Sequence, residues 1–345
     1  MDEGINNKNG AIHHQRFHTG KDSLSTEQEE GHLSIMPVYE GIFGGVLYVL
    51  LAISIMVCPC CFTIPSIIIK LLATASALTY GQHFLTKNSN KWVRRISFGI
   101  TLLISIILVG IGLFLLILAN NDDLRSKGFA NFCAMQNLKD GGPMNEVRCA
   151  ILNGADISGK VLEFGPGPGT NFKCFVNSTT TTTASIDEYV GVEPNPYFKE
   201  EMMREKEKRG LTFPLDFAPL RGEDYVDVTS ESFDVVILTH VLCSVDSVES
   251  VLANAERALK PGGKMIIMEH VAAPDGTKMK MFQDVVAGPI FNIIGNGCKV
   301  LDMKNIIESY MGNRFDVQLD EFEAPLPAFP LLFARPHVKG VATKK

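Results

Sequence analysis

Apolar and polar positions divide the chain into three stretches. Residues 1–40 are rich in Asn, Lys, Glu, Gln, His and Gly, with too few apolar side chains to offset the entropy of ordering, so they read as a disordered polar tail. From Gly41 to Leu118 Ile, Leu, Val, Ala and Phe dominate, and from about Asn120 onward the pattern is that of a globular domain. The expected boundaries are therefore 1–40, 41–119 and 120–345. Ile96 to Leu118 is 23 residues without a charge, enough for a helix crossing roughly 30 Å of hydrocarbon. Gly41 to Val57 is a second uncharged run, and Phe62 to Tyr80 continues it with Lys70 as its sole charge. Two spans, or one span and a re-entrant piece, fit this middle stretch, giving a transmembrane region of two or three helices. A cleaved signal is not expected, because the first apolar run follows some 40 polar residues without a compact basic segment.

In the last stretch the periodicity changes to short apolar runs alternating with helical patterns. Val161 to Phe164 is a strand leading into a glycine-rich turn, after which Asn171 to Val176 is placed to open a helix. Tyr189 to Glu193 is a strand ending in a carboxylate. Ser232 to Leu238 is a continuous apolar run of the kind that a parallel strand covered on both faces requires. Val248 to Leu259 has amphipathic helical spacing, Lys260-Pro261-Gly262-Gly263 stops it, and Lys264 to Met268 forms a strand ending at Glu269-His270. Phe315 to Phe322 and Val338 to Thr343 close the sheet. The predicted fold class is α/β: a Rossmann-like, doubly wound, mostly parallel seven-stranded sheet preceded by an N-terminal transmembrane helical region.

Charge narrows the functions. A net charge of -6 and a pI near 5.8 leave no basic footprint for nucleic acid, which is excluded as a partner. Eight cysteines without dense spacing read as reduced or buried thiols, so the globular domain is expected to fold without disulfides. Cys58, Cys60 and Cys61 suit small apolar packing at a membrane-proximal turn. No second cysteine or histidine cluster along the sequence completes a zinc site, and no metal is expected. Lys87, Lys91, Arg94 and Arg95 form a basic loop that the positive-inside tendency places in the cytosol, which would put the domain on the far side. Free thiols in the domain argue for the cytosolic face instead, and Asn177-Ser178-Thr179 is a glycosylation sequon that reports the orientation.

The chemistry concentrates in the turn Gly165-Pro166-Gly167-Pro168-Gly169 after the first strand. Dinucleotide-binding turns present backbone N–H groups to a pyrophosphate, whereas Pro166 and Pro168 each remove one donor. S-adenosylmethionine carries no phosphate, and a turn that needs only close backbone approach tolerates both prolines. Glu193 stands where this architecture places an acidic side chain to accept hydrogen bonds from both ribose hydroxyls. It lies 24 residues beyond Gly169, and the excess is assigned to a surface-loop insert from Asn177 to Asp187 that contains five consecutive threonines.

The stretches VLEFGPGPGTNF, VEPNP, SFDVVILTHVLCSV and ALKPGGKMIIMEHV resemble class I methyltransferases of the type 11 group. GVEPNPYF, Val241 to Val245, Glu269-His270-Val271, Gly297-Cys298 and the tail from Ala324 to His337 further resemble the membrane-bound methyltransferase-like thiol S-methyltransferases of endoplasmic reticulum and lipid droplets. The likeness covers roughly Val161 to Lys344. It departs in the longer apolar region, in the threonine-rich insert, and at Glu193, where those relatives carry aspartate. The resemblance implies S-adenosyl-L-methionine as cofactor. Gly165, Gly167 and Gly169 would line its methionine end, Glu193 would hold the ribose and Asp224 would meet the adenine amino group; apart from the resemblance, Glu163, Asn195, Glu223 and the strand-end His240 are further candidate contacts near the same pocket. His240 replaces an apolar residue of the relatives and takes no role from them.

By the same resemblance the acceptor is a small apolar thiol attacking the sulfonium methyl in line. The methyl donor is already activated, so alignment, which lowers a barrier by roughly 7–11 kcal/mol, is the main task. A thiol with a pKa near 8.5 is only about a few per cent thiolate at neutral pH, and His270 or His337 would be the base that raises that fraction. Cys243 reads as a packed residue, not a covalent nucleophile. The bilayer is expected as partner and reservoir of apolar substrate, Phe329 to Phe333 as a lining for its approach, and Ala272 to Cys298 with the C-terminal tail as the segments that shape the acceptor pocket. Rival readings are O- or N-methylation of a lipid or quinone and a non-catalytic membrane scaffold. No pattern specifies an oligomeric state.

Overall fold

The computed structural model describes residues 90–137, 143–176, 185–226, 230–326 and 331–345. The expected tail, the first apolar runs, Cys58 to Cys61, Lys87 and most of the threonine-rich insert lie outside them. Helix α1, Lys91–Ala119, carries no charge after Arg95, and along it Ile96, Phe98, Leu103, Ile107, Leu113 and Phe114 are exposed. Its segment Arg94–Ala119 is long and apolar enough to cross a membrane. Asn120 ends it, its side-chain amide donating to Leu116 O at 2.8 Å.

Helix α2, Asp122–Asn137, starts where Asn121 Oδ1 accepts the Leu124 N–H at 2.9 Å, with Asp122 and Asp123 at the positive end of the helix dipole. Helix α3, Pro143–Gly154, begins on a proline, which sacrifices no intrahelical donor in the first turn. Seven strands follow: β1 Ser158–Phe164, β2 Ser185–Val192, β3 Leu215–Ala218, β4 Phe233–Thr239, β5 Leu259–His270, β6 Phe315–Glu323 and β7 Pro336–Lys344. They form one sheet in the order β3-β2-β1-β4-β5-β7-β6, parallel from β3 through β5, with β7 antiparallel to both neighbours. The predicted seven-stranded, mostly parallel sheet is the one observed. Helices α4 (Phe198–Lys208), α5 (Val248–Ala258), α6 (Lys278–Phe282), α7 (Gly288–Ile294) and α8 (Met303–Met311) complete the domain.

Strand alternation sorts the core into two layers. Leu162, Phe164, Val236 and Leu238 join one cluster with Val251, Leu252, Ile307 and Phe315, while Val161, Val235 and Ile237 join another with Phe172, Tyr189 and Met202. Each such side chain, fully buried, contributes about 1.5–3 kcal/mol, so the central strands fix the domain and their C-terminal ends become a rigid rim. The strand order reverses between β1 and β4, and in an open α/β sheet the crevice outside those strand ends is where a ligand binds.

Four local expectations are corrected. The helix foreseen after the glycine turn is a single 3-10 turn, Phe172–Cys174, because Phe172 and Phe175 are drawn into the aromatic packing around Tyr189 and Phe213. Cys174 is bonded to Cys149 of α3, so the domain does contain a disulfide beside the free Cys133, Cys243 and Cys298, and the argument from free thiols for a cytosolic domain is weakened. Spacing along the sequence conceals this pair, since the two cysteines meet only when α3 packs on the turn beyond β1. Strand β2 begins at Ser185, pairing Ser185 with Ser158, so the last three residues of the assumed loop insert are strand. Lys260 to Gly263 does end α5 but then runs within β5 as an irregularity, Leu259 pairing Phe233 and Lys264 pairing Val235. Strand β3 escapes sequence analysis altogether, being four half-exposed residues at a sheet edge.

Candidate active site at the strand ends

Strand β1 delivers the chain into the turn at Gly165, whose φ is 66°, followed by Gly167 at 55° and Gly169 at 77°. An added Cβ at Gly165 would fall 2.6 Å from Val241 Cγ2, so this glycine is required by space as well as by dihedral. At Gly167 such a Cβ would meet nothing nearer than the tip of the Phe198 ring at 3.9 Å, and the turn there borders open space. Its backbone N–H donates to Glu193 Oε2 at 3.2 Å, while Asn195 N–H donates to Oε1 at 2.9 Å. The carboxylate at the tip of β2 is thereby clamped with both oxygens still able to accept a further bond. Burial raises its pKa to about 7 against the opposing pull of those two donors.

Asn195 extends the clamp. Its amide donates to Ser126 O of α2 at 2.9 Å, and its Oδ1 accepts the Tyr197 N–H at 3.1 Å. Tyr197 in turn donates its hydroxyl to Asp123 Oδ1 at 2.6 Å, and Phe129 meets Phe198 edge to face. Helix α2 is thus fastened beside the Glu193 end of the crevice. Glu163, inside β1, does not face this end: it accepts from Asn171 Nδ2 at 2.7 Å and from the Tyr189 hydroxyl, and burial pushes its pKa to about 7. Asn171 also donates to Thr239 Oγ1 at 2.9 Å, which leaves Asn171 Oδ1 buried without a protein partner. Glu163 acts here by orienting Asn171.

At the third corner a short turn, Gly222–Asp224, separates the two acidic candidates. Glu223 Oε1 accepts the backbone N–H groups of Asp246 and Ser247 at 2.6 and 3.3 Å, bracing the start of α5. Asp224 keeps an exposed carboxylate, 4.0 Å from Arg221. The structure thus gathers Gly165, Gly167, Gly169, Glu193 and Asn195 closely, with Glu163 as a support and Glu223 and Asp224 at the adjoining turn.

The histidines form a separate group at the ends of β4, β5 and β7. Arg148, buried on α3, donates to His240 Nδ1 at 3.0 Å. Because a guanidinium only donates, His240 carries its proton on Nε2 and gives it to His337 Nε2 at 3.1 Å; His337 then donates from Nδ1 to Arg335 O at 3.0 Å. His240 itself sits at φ 55°, a left-handed strain at the exit of β4. The His270 ring lies 4.7 Å from His240 and 4.6 Å from His337, and its Nδ1 is buried without a partner. Burial lowers the pKa of His270 to about 3 and of His337 to about 4, with Arg148 contributing to both. All three imidazoles are neutral near pH 7.

Beside them, Cys243 Sγ and Cys298 Sγ are 2.7 Å apart, both buried, and Glu269 Oε1 accepts from the N–H groups of Val241 and Leu242. Sequence reasoning missed Arg148, Asn171 and Thr239 and the meeting of the two cysteines. Arg148 carried no signal, being one basic residue on a short helix, whereas Asn171 two residues after the glycine turn was open to inspection. A cavity of about 520 Å³ opens on the segment Ala272 to Cys298, lined by Gln283, Gly288, Pro289, Asn292, Ile293 and Gly297, with Arg125 of α2. Phe333 is packed among Ala287, Phe291 and Ala334 and is core, while Leu332 beside it is exposed.

A family model for a methyltransferase domain matches residues 162–267. The thiol S-methyltransferase TMT1B of Homo sapiens is 35% identical over 199 residues, 56% of this chain and 74% of that protein. TMT1B of Rattus norvegicus is 34% identical over 196 residues, with the same two coverages, and TMT1A of Homo sapiens is 32% identical over 217 residues, 62% of this chain and 83% of its own.

Proposed function

The chain belongs to the S-adenosylmethionine-dependent methyltransferases, in the family that includes the thiol S-methyltransferases TMT1A and TMT1B, and from that premise we propose that it is a membrane-anchored enzyme methylating a small apolar thiol. Its cofactor is S-adenosyl-L-methionine, and the residues present fit that molecule. The observation that carries the reading is the Glu193 carboxylate, fixed by Gly167 and Asn195 with two accepting positions to spare beside an open glycine turn. The buried, unpartnered Asn171 Oδ1 adds an acceptor of the sort that an ammonium group needs.

When bound, the cofactor supplies a methyl group on a positively charged sulfur, ready for in-line attack. The protein's own contributions are positional. Gly165 and Gly169 let the turn approach closely, Glu193 orients the ribose, and Asn195 and Tyr197 hold α2 against the crevice to limit water. The acceptor thiol approaches from the β4–β5–β7 side, where Val241 closes against Gly165 and the cavity along Ala272 to Cys298 leads away. His270 and His337 face that side, but imidazoles whose proton affinity has fallen so far accept a proton from a thiol poorly, which argues against either as an efficient general base.

Anchoring rests on α1, whose exposed Ile, Leu and Phe side chains suit lipid and whose basic start at Lys91, Arg94 and Arg95 suits a membrane surface. The relatives' resemblance favours endoplasmic reticulum or lipid-droplet membrane, and cytosolic synthesis of the cofactor favours a domain on the cytosolic face. A glycosidase-sensitive mass shift at Asn177 would place the domain on the other face.

The test of the function is a tritiated-methyl assay on membranes carrying the full chain, offered a panel of alkyl thiols, phenols and hydroxylated lipids, with Glu193→Ala as control. Methylated thiol as the dominant product supports the reading. Products only from hydroxyl or amine acceptors would move it to O- or N-methylation, and failure of the folded chain to bind the cofactor would end it.

A further inference from the structure

Two cysteines and three histidines from four separate segments converge at the β4–β5–β7 end of the crevice. Ligand atoms of Cys243, His270 and Cys298 lie within 4.8 Å of one another, and His270 shares an equally tight group with His240 and His337. Cys243 and Cys298 are respectively 1% and 4% exposed, so these thiols are not a surface accident. The His240–His337 pair is already satisfied by the chain of bonds from Arg148 to Arg335 O. What is left wanting is the other half of the group: a buried His270 Nδ1 with no partner, and two sulfurs pressed together with only each other, Ser244 Oγ and remote carbonyls for company.

We propose that Cys243, Cys298 and His270 form a three-ligand site for a borderline-soft divalent cation of the zinc type, with its fourth position open toward the methyl-acceptor pocket. Two thiolates and one imidazole are a donor set that zinc takes in catalytic sites with an open coordination position. The segments bearing them are tied together: Lys299 N–H donates to Cys243 O at 2.7 Å and Lys299 Nζ to Val245 O at 2.8 Å, so the loop before α8 and the turn after β4 move as one. On a tetrahedral ion with Zn–S near 2.3 Å the sulfurs would stand about 3.8 Å apart, so loading parts them by about 1 Å. Ser244 Oγ, 3.5 Å from Cys243 Sγ, is placed to donate to the thiolate as outer support. Charge also balances: two thiolates neutralise the dication, which a buried site demands.

The acceptor role of this ion rests on the thiol reading above, whereas the site itself does not. An acceptor thiol taking the fourth position is bound as thiolate, its proton passing to solvent. Its sulfur then forms the new S–C bond as the methyl's bond to the sulfonium breaks, and that electron pair returns to the departing sulfur. A thioether and S-adenosylhomocysteine result, and the neutral thioether, a poorer ligand than thiolate, leaves.

The experiment uses the full chain in detergent, stripped with a chelator and reloaded with zinc or cobalt. One zinc per chain by elemental analysis, and for cobalt the thiolate charge-transfer absorption with strong visible bands of a tetrahedral ion, are the expected results. Both should vanish in the Cys243→Ser/Cys298→Ser double variant, the cobalt spectrum should change in His270→Ala, and His240→Leu should keep it. Cofactor binding by calorimetry, measured in every variant, certifies the fold and the Glu193 pocket separately. A chain that binds cofactor but takes up no zinc overturns the proposal, as does recovery of Cys243 and Cys298 as a disulfide from anaerobically prepared protein. A zinc-loaded chain that methylates hydroxyl acceptors and no thiol overturns the thiol reading and the acceptor role with it, while the metal stoichiometry remains as an independent result.

Discussion

The two halves of the crevice are built on different principles. On the β1–β2 side the Glu193 carboxylate is held by two backbone N–H groups, and on the proposed reading the ligand's place is defined by what the main chain does at Gly165, Gly167 and Glu193. On the β5–β7 side the chain supplies side chains, namely three imidazoles, two thiols and a buried guanidinium, and the backbone is only their support. A cofactor common to many enzymes can be met by main-chain geometry, which tolerates divergence in sequence. On the proposed reading the acceptor, particular to each enzyme, is met by side chains, and these can change one at a time.

If that division is right, the largest single effect belongs to Glu193→Ala. Two charge-assisted bonds to the ribose are lost, and the N–H groups of Gly167 and Asn195 lose their partner, so cofactor affinity should fall on the order of 10²–10⁴-fold, at about 1.5–3 kcal/mol per bond to a charged group. Calorimetry on the purified chain reads this directly. An affinity reduced by less than about threefold would place the ribose elsewhere. Next in size is the disulfide. Cys149→Ala/Cys174→Ala releases a loop of 25 residues and should lower stability by about 2–4 kcal/mol, measured by denaturant midpoint, while both halves of the crevice keep their function at low temperature.

The pH dependence separates the halves more finely. Glu193 has its pKa raised to about 7 by burial, so the ionised form that accepts from two hydroxyls is lost as pH falls through 7. Cofactor affinity should therefore drop up to about tenfold per pH unit below that point, and Glu193→Gln should be weak but flat with pH. Arg148→Met acts on the other half. It removes the donor that fixes the His240 tautomer, and the expected result is a kcat lower by about tenfold with cofactor affinity within about threefold of the parent, a split that a general collapse of the domain would not give.

The same division explains what was legible in the sequence. Strand β4 announces itself because a parallel strand buried on both faces must be continuously apolar, and Gly165, Gly167 and Gly169 because the left-handed φ values found there favour glycine. Glu193 follows from its place at the tip of the next strand. The histidine and cysteine group is invisible for the converse reason: His240, His270, Cys298 and His337 are scattered over about a hundred residues, and only the order β4-β5-β7, with the loop before α8 bonded through Lys299 to Cys243 O, brings them together. Val161 and Leu162 show their faces by alternation, but no periodicity shows that Cys149 will meet Cys174, or that an arginine on α3 will reach a histidine 92 positions away.

The smallest effect tests the seam between the halves. Asn195 belongs to the main-chain clamp through its N–H, yet its side chain reaches Ser126 O and so decides how firmly α2 is held beside the crevice. Asn195→Ala keeps the N–H on Glu193 and loses the bond to α2 together with the Oδ1 that accepts the Tyr197 N–H, two neutral hydrogen bonds of about 0.5–1.5 kcal/mol each. If α2 serves to limit water around a ligand held by Glu193, cofactor should dissociate about three- to tenfold faster with its association rate unchanged, a difference that stopped-flow fluorescence resolves. An unchanged dissociation rate would mean that the main-chain clamp holds the ligand unaided and that α2 belongs to the packing of the domain alone. The separation between a backbone-built half and a side-chain-built half would then be sharper than the hydrogen bonds by themselves suggest.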